Sequence, residues 1–296
     1  MKKRKPAAGS VAFDITIYVF LTLIAACMLY PFLNVIAVSI SDYSSYLANP
    51  LRIIPGKLDF TAFHYVFSSS LILSSYRNTI IITILGTLIA LALTVLTAYP
   101  LSRKNLKGKK FFMNLFVFSM MFSGGMIPGF YLIRSLNLLD TLWALILPGT
   151  ISAYNVILMK NFFVSIPDSL EEAARIDGAS DMYVLWKIVL PLSTPILATI
   201  GLFICVGYWN SYFSAVLYIR DQQKWTLQLL LREIIMSANT QLLSSGGNLA
   251  EMSSDAIPPQ TIKYATLIVV ILPILCVYPF IQKYFVKGMM LGAVKG

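Results

Sequence analysis

The chain has 296 residues, 57% of them hydrophobic and only 12% charged, with a formal net charge of +10. Soluble domains carry roughly 25% charged residues; half that share, with a mean hydropathy of +0.75, excludes an ordinary soluble enzyme and predicts an integral membrane protein. The basic residues stand in short clusters between apolar runs, with no stacking surface interleaved, which argues against nucleic-acid binding.

Uncharged runs predict six membrane helices, at 15–41, 78–102, 111–133, 141–159, 188–219 and 264–282. About 20 helical residues cross the hydrocarbon core, so each run is of spanning length. The expected fold class is all-α, a single membrane domain over 1–296 with no soluble module. The first run follows the basic "KKRK" at 2–5, as a signal peptide would, but it holds 27 uncharged residues. A signal's apolar core is about 7–15 residues, so the run reads as an uncleaved first span. Lys and Arg number fifteen in the loops on the N-terminal side (2–5, 103–110, 160–187, 283–295) and eight on the other. The denser side is expected in the cytoplasm, with both termini inside. The 42–77 and 220–263 loops then face out, and "WTLQLLLREIIM" at 225–236 reads either as a helix at the outer interface or as one packed on the bundle.

Spans three and four carry polar or helix-breaking groups. "SGGMIPG", Ser123 to Gly129, sets Gly124 and Gly125 near mid-membrane. Such a run unwinds or kinks a helix, either to line a cavity or as a packing notch. Tyr154 and Asn155 are further pathway candidates in span four.

The loop at 160–187 is the longest on the cytoplasmic side, and its sequence predicts two short helices joined by a turn. Asp168 is placed as an N-cap with Glu171 three residues on, as in a capping box. Leu170, Ala173, Ala174 and Asp177 fall on one helical face. Gly178 fits the position after the C-cap, where glycine takes positive φ cheaply. Ser180 or Asp181 then caps "MYVLWKIVL", which runs into Pro191 and span five. Small alanines let a helix lie close against a partner, so the elbow reads either as a docking piece joined to a membrane helix or as a solvated, well-capped loop helix.

Span five holds "GYWNSYF" in its outer half. Helical spacing puts Tyr208, Ser211 and Tyr212 on one face and Trp209 with Phe213 on another, with Asn210 beside them. Aromatic faces, amides and hydroxyls suit a neutral, hydroxyl-rich solute; interfacial anchoring and interhelical hydrogen bonding are the alternative use.

What the spans lack is equally informative. Asp14 sits at the edge of the first, and no other acid or base lies inside any span. Ion-coupled carriers keep ionisable groups at membrane depth, so uphill transport by this chain needs energy from elsewhere. His64 is the only histidine, and Cys27, Cys205 and Cys276 fall in apolar runs as expected buried thiols, so no metal or haem site is expected. No G-x-x-x-x-G-K-[ST] motif is present, and no cofactor is expected on the chain itself. A carrier or channel for a neutral solute, working alone, is the rival from another class.

Glu172, Ala173, Ala174, Gly178, Ile188, Leu190 and Pro191, in "EEAARIDGASDMYVLWKIVLP", resemble the EAA motif of ATP-binding-cassette importer permeases. The resemblance implies a type I importer permease in a bacterial cytoplasmic membrane, with the 168–187 elbow as the coupling helix seated on an ATPase. It further implies a second homologous permease, two ATP-binding subunits that hold ATP and Mg, and an extracytoplasmic sugar-binding protein. "IDGAS", with Asp177 before Gly178, is similar to the carbohydrate-uptake branch. "GGMIPGFYLIRSLNLLDTLWALILP" at 124–148 and "KGMMLGAVKG" at 287–296 resemble permeases that pair with a different second permease and import oligosaccharides or polysaccharide fragments. A polyol or other small solute is the rival cargo, and the tail from Lys287 is implied to touch the ATPases.

Overall fold

The computed structural model describes the backbone of residues 8–244 and 260–276, and the side chains of 13–237 and 260–276. The tail at 287–296 and the basic start at 2–5 lie outside the described residues. No strand occurs among the described residues; an isolated bridge joins Ser41 to Leu58. Two compact units are present.

The smaller unit takes in described residues up to Ser69 and part of Ile234–Ile271. It opens with α1, Ala8–Ser39, apolar on every side, with Pro31 inside it. In lipid such a helix satisfies its own backbone groups. The loop behind it holds α2 (Tyr43–Ala48) and α3 (Thr61–Ser68). Asn34 ties that loop to α1, its Nδ2 donating to the carbonyls of Pro50 and Arg52, each at 2.9 Å.

The larger unit is built around α4, Ser70–Ser102. Span three becomes two helices, α5 (Lys109–Met121) and α6 (Met126–Ser135), bent by 113° at a break where Gly125 sits at φ +85. The expected helix over 141–159 is not continuous. It is α7, Trp143–Ile146, a tight turn through Pro148 and Gly149, then α8, Ala153–Val164. Pro148 has no N–H to continue the ladder, which explains a break that an uncharged run conceals.

The elbow follows as α9 (Asp168–Ile176) and α10 (Asp181–Leu192). Span five breaks at Ser193, where α10 meets α11, Thr194–Trp209, at 84°. A further break at Asn210 precedes α12, Phe213–Tyr218, so the helical faces expected across 208–213 do not form. Next comes α13, Leu227–Ser244, whose buried Leu227, Leu229, Leu230 and Leu231 show that the first part of the 225–236 segment packs inward, while Arg232 and Met236 are exposed. The last described helix, α14, is Gln260–Cys276, and residues 277–282 of the expected sixth span lie outside the described residues.

Within the larger unit α4 lies between α8 and α11. Its small Gly86, Ala90 and Ala98 allow close helix approach, and Val156, Met159 and Ile200 fill the contact. Among the described residues, two helices are long and apolar enough to cross a membrane, or up to four if each bent pair is one span. Cys27 and Cys276 are exposed and Cys205 half-buried, which corrects the expected buried thiols. The helices carrying the first two present apolar side chains outward, as lipid or a partner helix requires.

Candidate functional site

The elbow owes its shape to two local devices. At the end of α9 the Gly178 N–H bonds the Arg175 carbonyl, and the Ala179 N–H bonds that of Ala174, both at 3.0 Å. This is a Schellman closure, and it needs a left-handed residue, supplied by Gly178 at φ +81. At the start of α10 the Ser180 Oγ accepts from the Tyr183 N–H at 3.3 Å, so Ser180 is the cap, with Asp181 inside the helix. The other expected cap is corrected: Pro167 holds the N-cap position of α9, and the Asp168 side chain makes no capping bond. Its carboxylate is drawn instead to the Lys104 ammonium. That bond holds the Asp168 carboxyl below its usual range and raises the lysine.

What fastens the elbow to the membrane helices is the ion pair of buried Glu171 with half-buried Arg103. Arg103 is itself held in place: its Nε donates to Ser102 Oγ at 2.9 Å, and its guanidinium lies 4.6 Å from the centre of the Tyr99 ring. Tyr99 meets Phe163 of α8 edge-on at 6.4 Å. One continuous set of contacts therefore runs from α9 to the ends of α4 and α8. Arg175 and Asp181 close the elbow's outside at 2.6 Å.

The motif residues divide into two sets. Ala174, Ile188 and Leu190 pack against the core, half-buried. Glu172, Ala173, Asp177, Gly178 and Pro191 are exposed. Beside them Ile176, Met182, Tyr183 and Trp186 are exposed too, Ile176 at 87%. Between them, Leu185–Val189 forms a π-helical turn leading into the bend at Ser193.

The pathway candidates are only partly gathered. Tyr208, Ser211 and Asn155 border one cavity of roughly 250 Å³, together with Gly149, Gly207 and Ser214. Tyr208 itself is buried, its hydroxyl donating to the Ile146 carbonyl at 2.8 Å. Trp209 is buried and meets Tyr76 edge-on at 6.4 Å. Asn210 donates to the Val206 carbonyl at 3.0 Å and accepts from Gln228 at 3.1 Å. Tyr212 is exposed under the Arg232 guanidinium, 5.9 Å from the ring centre. Tyr154, Gly124 and Gly125 are exposed and do not border that cavity. Sequence reasoning missed Arg103, read only as an orientation charge, and Asp140, which ties its loop to residues 220–224. A positive φ of +59 at a non-glycine leaves no mark in sequence.

The chain belongs to the family described as "Binding-protein-dependent transport system inner membrane component", whose model matches residues 82–291. It is 48% identical over 287 residues to the polygalacturonan/rhamnogalacturonan transport system permease protein YtcP of Bacillus subtilis (strain 168), covering 96% of this chain and 98% of that one. Protein LplC of the same organism is 45% identical over 290 residues, covering 98% and 96%. A solved bacterial ABC transporter involved in the import of the acidic polysaccharide alginate superposes with a TM-score of 0.87 at 36% identity, covering 96% of this chain and all of that one. The first and the last of these carry polysaccharide-transport names, in keeping with the carbohydrate-uptake branch that the elbow resembles.

Proposed function

We propose that this chain is one of two permease subunits of an ATP-driven importer, carrying oligosaccharides or polysaccharide fragments across the cytoplasmic membrane. The elbow carries the reading. It is a rigid, glycine-closed helix with Glu172, Ala173 and Ile176 free on its surface, latched through Glu171 and Arg103 to two membrane helices. A docking helix needs that combination of a bare outer face and a stiff inner attachment. ATP and Mg reside on two partner ATPases, whose closure moves α9 and, through Arg103, the end of α4. A second permease completes the pathway, and an extracytoplasmic binding protein delivers the sugar. The chain crosses the membrane six times with both termini inside, in keeping with its fifteen inner and eight outer cations.

The cargo class rests on the relatives. One bears the name of a galacturonan system and the solved one imports alginate, both polyanionic chains. The 250 Å³ cavity at Tyr208, Asn155 and Ser211 supplies hydroxyl and amide groups of the kind a sugar ring meets.

The test is purification of the tagged chain in mild detergent with its partners identified by mass, followed by assay of ATP hydrolysis with oligogalacturonate. Recovery of a second permease and an ATPase is expected, with the ATPase reduced by Ala173→Asp. A chain recovered alone, still transporting in liposomes without ATP, sinks the proposal.

A further inference from the structure

Beside the elbow, the ends of α4 and α8 and the start of α5 enclose a cleft of roughly 770 Å³. Five cations line it: Arg103, Lys104, Lys109, Lys160 and Arg175. Three have carboxylate partners, Glu171 for Arg103, Asp168 for Lys104 and Asp181 for Arg175. Lys109 and Lys160 have none among the described residues. The Lys109 Nζ donates to the carbonyls of Arg103 at 3.0 Å and Ser102 at 3.5 Å, and the Lys160 Nζ to Asn161 Oδ1 at 3.2 Å. Burial, followed by the like charges of Lys160 and Arg103, pushes the Lys109 pKa down. Arg103 adds an unmet donor, since its Nη2 is buried without an acceptor.

Cations brought together against their own repulsion, with a guanidinium nitrogen left over, make a site short of acceptors. Asp168, Glu171 and Glu172 line the same cleft, but the first two are engaged with Lys104 and Arg103, and exposed Glu172 makes no ion pair with Lys109 or Lys160. An anion with several oxygens arranged around one centre offers acceptors to these donors, and charge-assisted bonds of this kind are the strong ones. The cleft's depth narrows the choice. The uncharged run of α4 ends at Ser102 and that of α5 begins at Phe111, so Arg103 and Lys109 sit where a span leaves hydrocarbon. Lipid phosphates lie at that level, and basic residues there attract acidic headgroups.

We propose that this cleft binds a phosphate group through Lys109, Lys160 and Arg103, its source at that depth being an acidic phospholipid headgroup. The elbow contributes Asp168, Glu171, Glu172 and Arg175 to the lining, but the site needs only a chain that spans the membrane, and its occupancy is measured on the chain alone, without transport or ATPase.

The experiment is native mass spectrometry of the full chain, released from detergent after titration with phosphatidylglycerol or phosphatidylcholine. Retention of phosphatidylglycerol at collision energies that strip phosphatidylcholine is expected, and Lys160→Gln is expected to lower it about fivefold. Lys109→Gln is read only if helical content and thermal midpoint match wild type, because that lysine also caps the end of α4; Lys160→Gln does not carry this risk. Millimolar inorganic phosphate separates the sources. Displacement of the lipid assigns the site to soluble phosphate, and persistence assigns it to the headgroup. Equal retention of both lipids, or retention unchanged in Lys160→Gln, overturns the proposal.

Discussion

The Glu171 carboxylate and the Arg103 guanidinium meet with only 8% and 19% of their side-chain surface open. Removing one partner of a buried pair strands the other and costs about 3 kcal/mol. Glu171→Gln is therefore expected to loosen α9 from α4 while leaving the chain inserted. Amide exchange over 168–178 should quicken by about two orders of magnitude, and uptake should fall with it. The double variant Glu171→Leu/Arg103→Met leaves no stranded charge and should regain most of the protection. Unchanged exchange in Glu171→Gln would show that the pair contributes nothing to the docking.

Gly178 offers a test of backbone geometry without steric confusion. A Cβ placed there meets nothing within 4 Å, so only the φ of +81 resists substitution. For an ordinary L-residue that conformation costs roughly 1–2 kcal/mol, and asparagine tolerates it better. Uptake is expected to rank wild type, then Gly178→Asn, then Gly178→Ala, then Gly178→Val. An alanine variant as active as wild type, with its exchange rates intact, would remove the Schellman closure from the account of coupling.

These two residues also mark the reach of sequence reading. Gly178 and Ser180 were legible because turn and cap chemistry is local: each bond spans a few residues. Asp168 looked like a cap by the same logic and is not one, because Lys104, distant in sequence, competes for its carboxylate. Arg103 appeared as one cation in a basic cluster, and nothing near it named Glu171 as its partner. Apolar runs gave α1 and α4 nearly whole, since an unbroken helix is the simplest way to satisfy a backbone in lipid. They misled at 141–159, where Pro148 and Gly149 interrupt the helix without adding charge. The same blindness hid the end of α11 at Asn210, and so the cavity that brings Asn155 near Tyr208 rather than a Tyr208–Ser211–Tyr212 face.

Gly86 is where α4 admits the Tyr208 ring. A Cβ there would lie 2.6 Å from Tyr208 Cε2, closer than carbon atoms approach. Overpacking of this kind costs about 1–3 kcal/mol. Gly86→Ala is expected to lower the thermal midpoint and displace Tyr208, breaking its bond to the Ile146 carbonyl. Adding Tyr208→Leu should relieve the clash, making the double variant more stable than Gly86→Ala alone. If the two changes destabilise additively, the ring and the glycine are not in the contact described.

The turn before α7 hangs on Asp140, held at φ +59, with its N–H on the Tyr218 carbonyl at 2.8 Å. Its Oδ1 accepts from the N–H groups of Asp221 at 3.0 Å and Arg220 at 3.1 Å, and Lys224 donates to its carbonyl at 3.0 Å. The Asp221 N–H foremost holds its carboxyl below the usual range; burial opposes it as the next largest effect, and the Arg220 N–H and the Lys224 ammonium add to the lowering. A depressed folded pKa means that the ionised form stabilises the fold. That contribution is complete above the unfolded value of about 3.9 and disappears as pH falls through the lower folded value. Asp140→Asn keeps a residue that tolerates the left-handed backbone and removes the charge. At pH 7 the amides of Arg220 and Asp221 should exchange faster in the variant than in wild type. The gap should narrow steadily below about pH 4 as wild type protonates toward the variant's state. A gap of the same size at pH 3 would mean that the carboxylate's charge does not hold the turn.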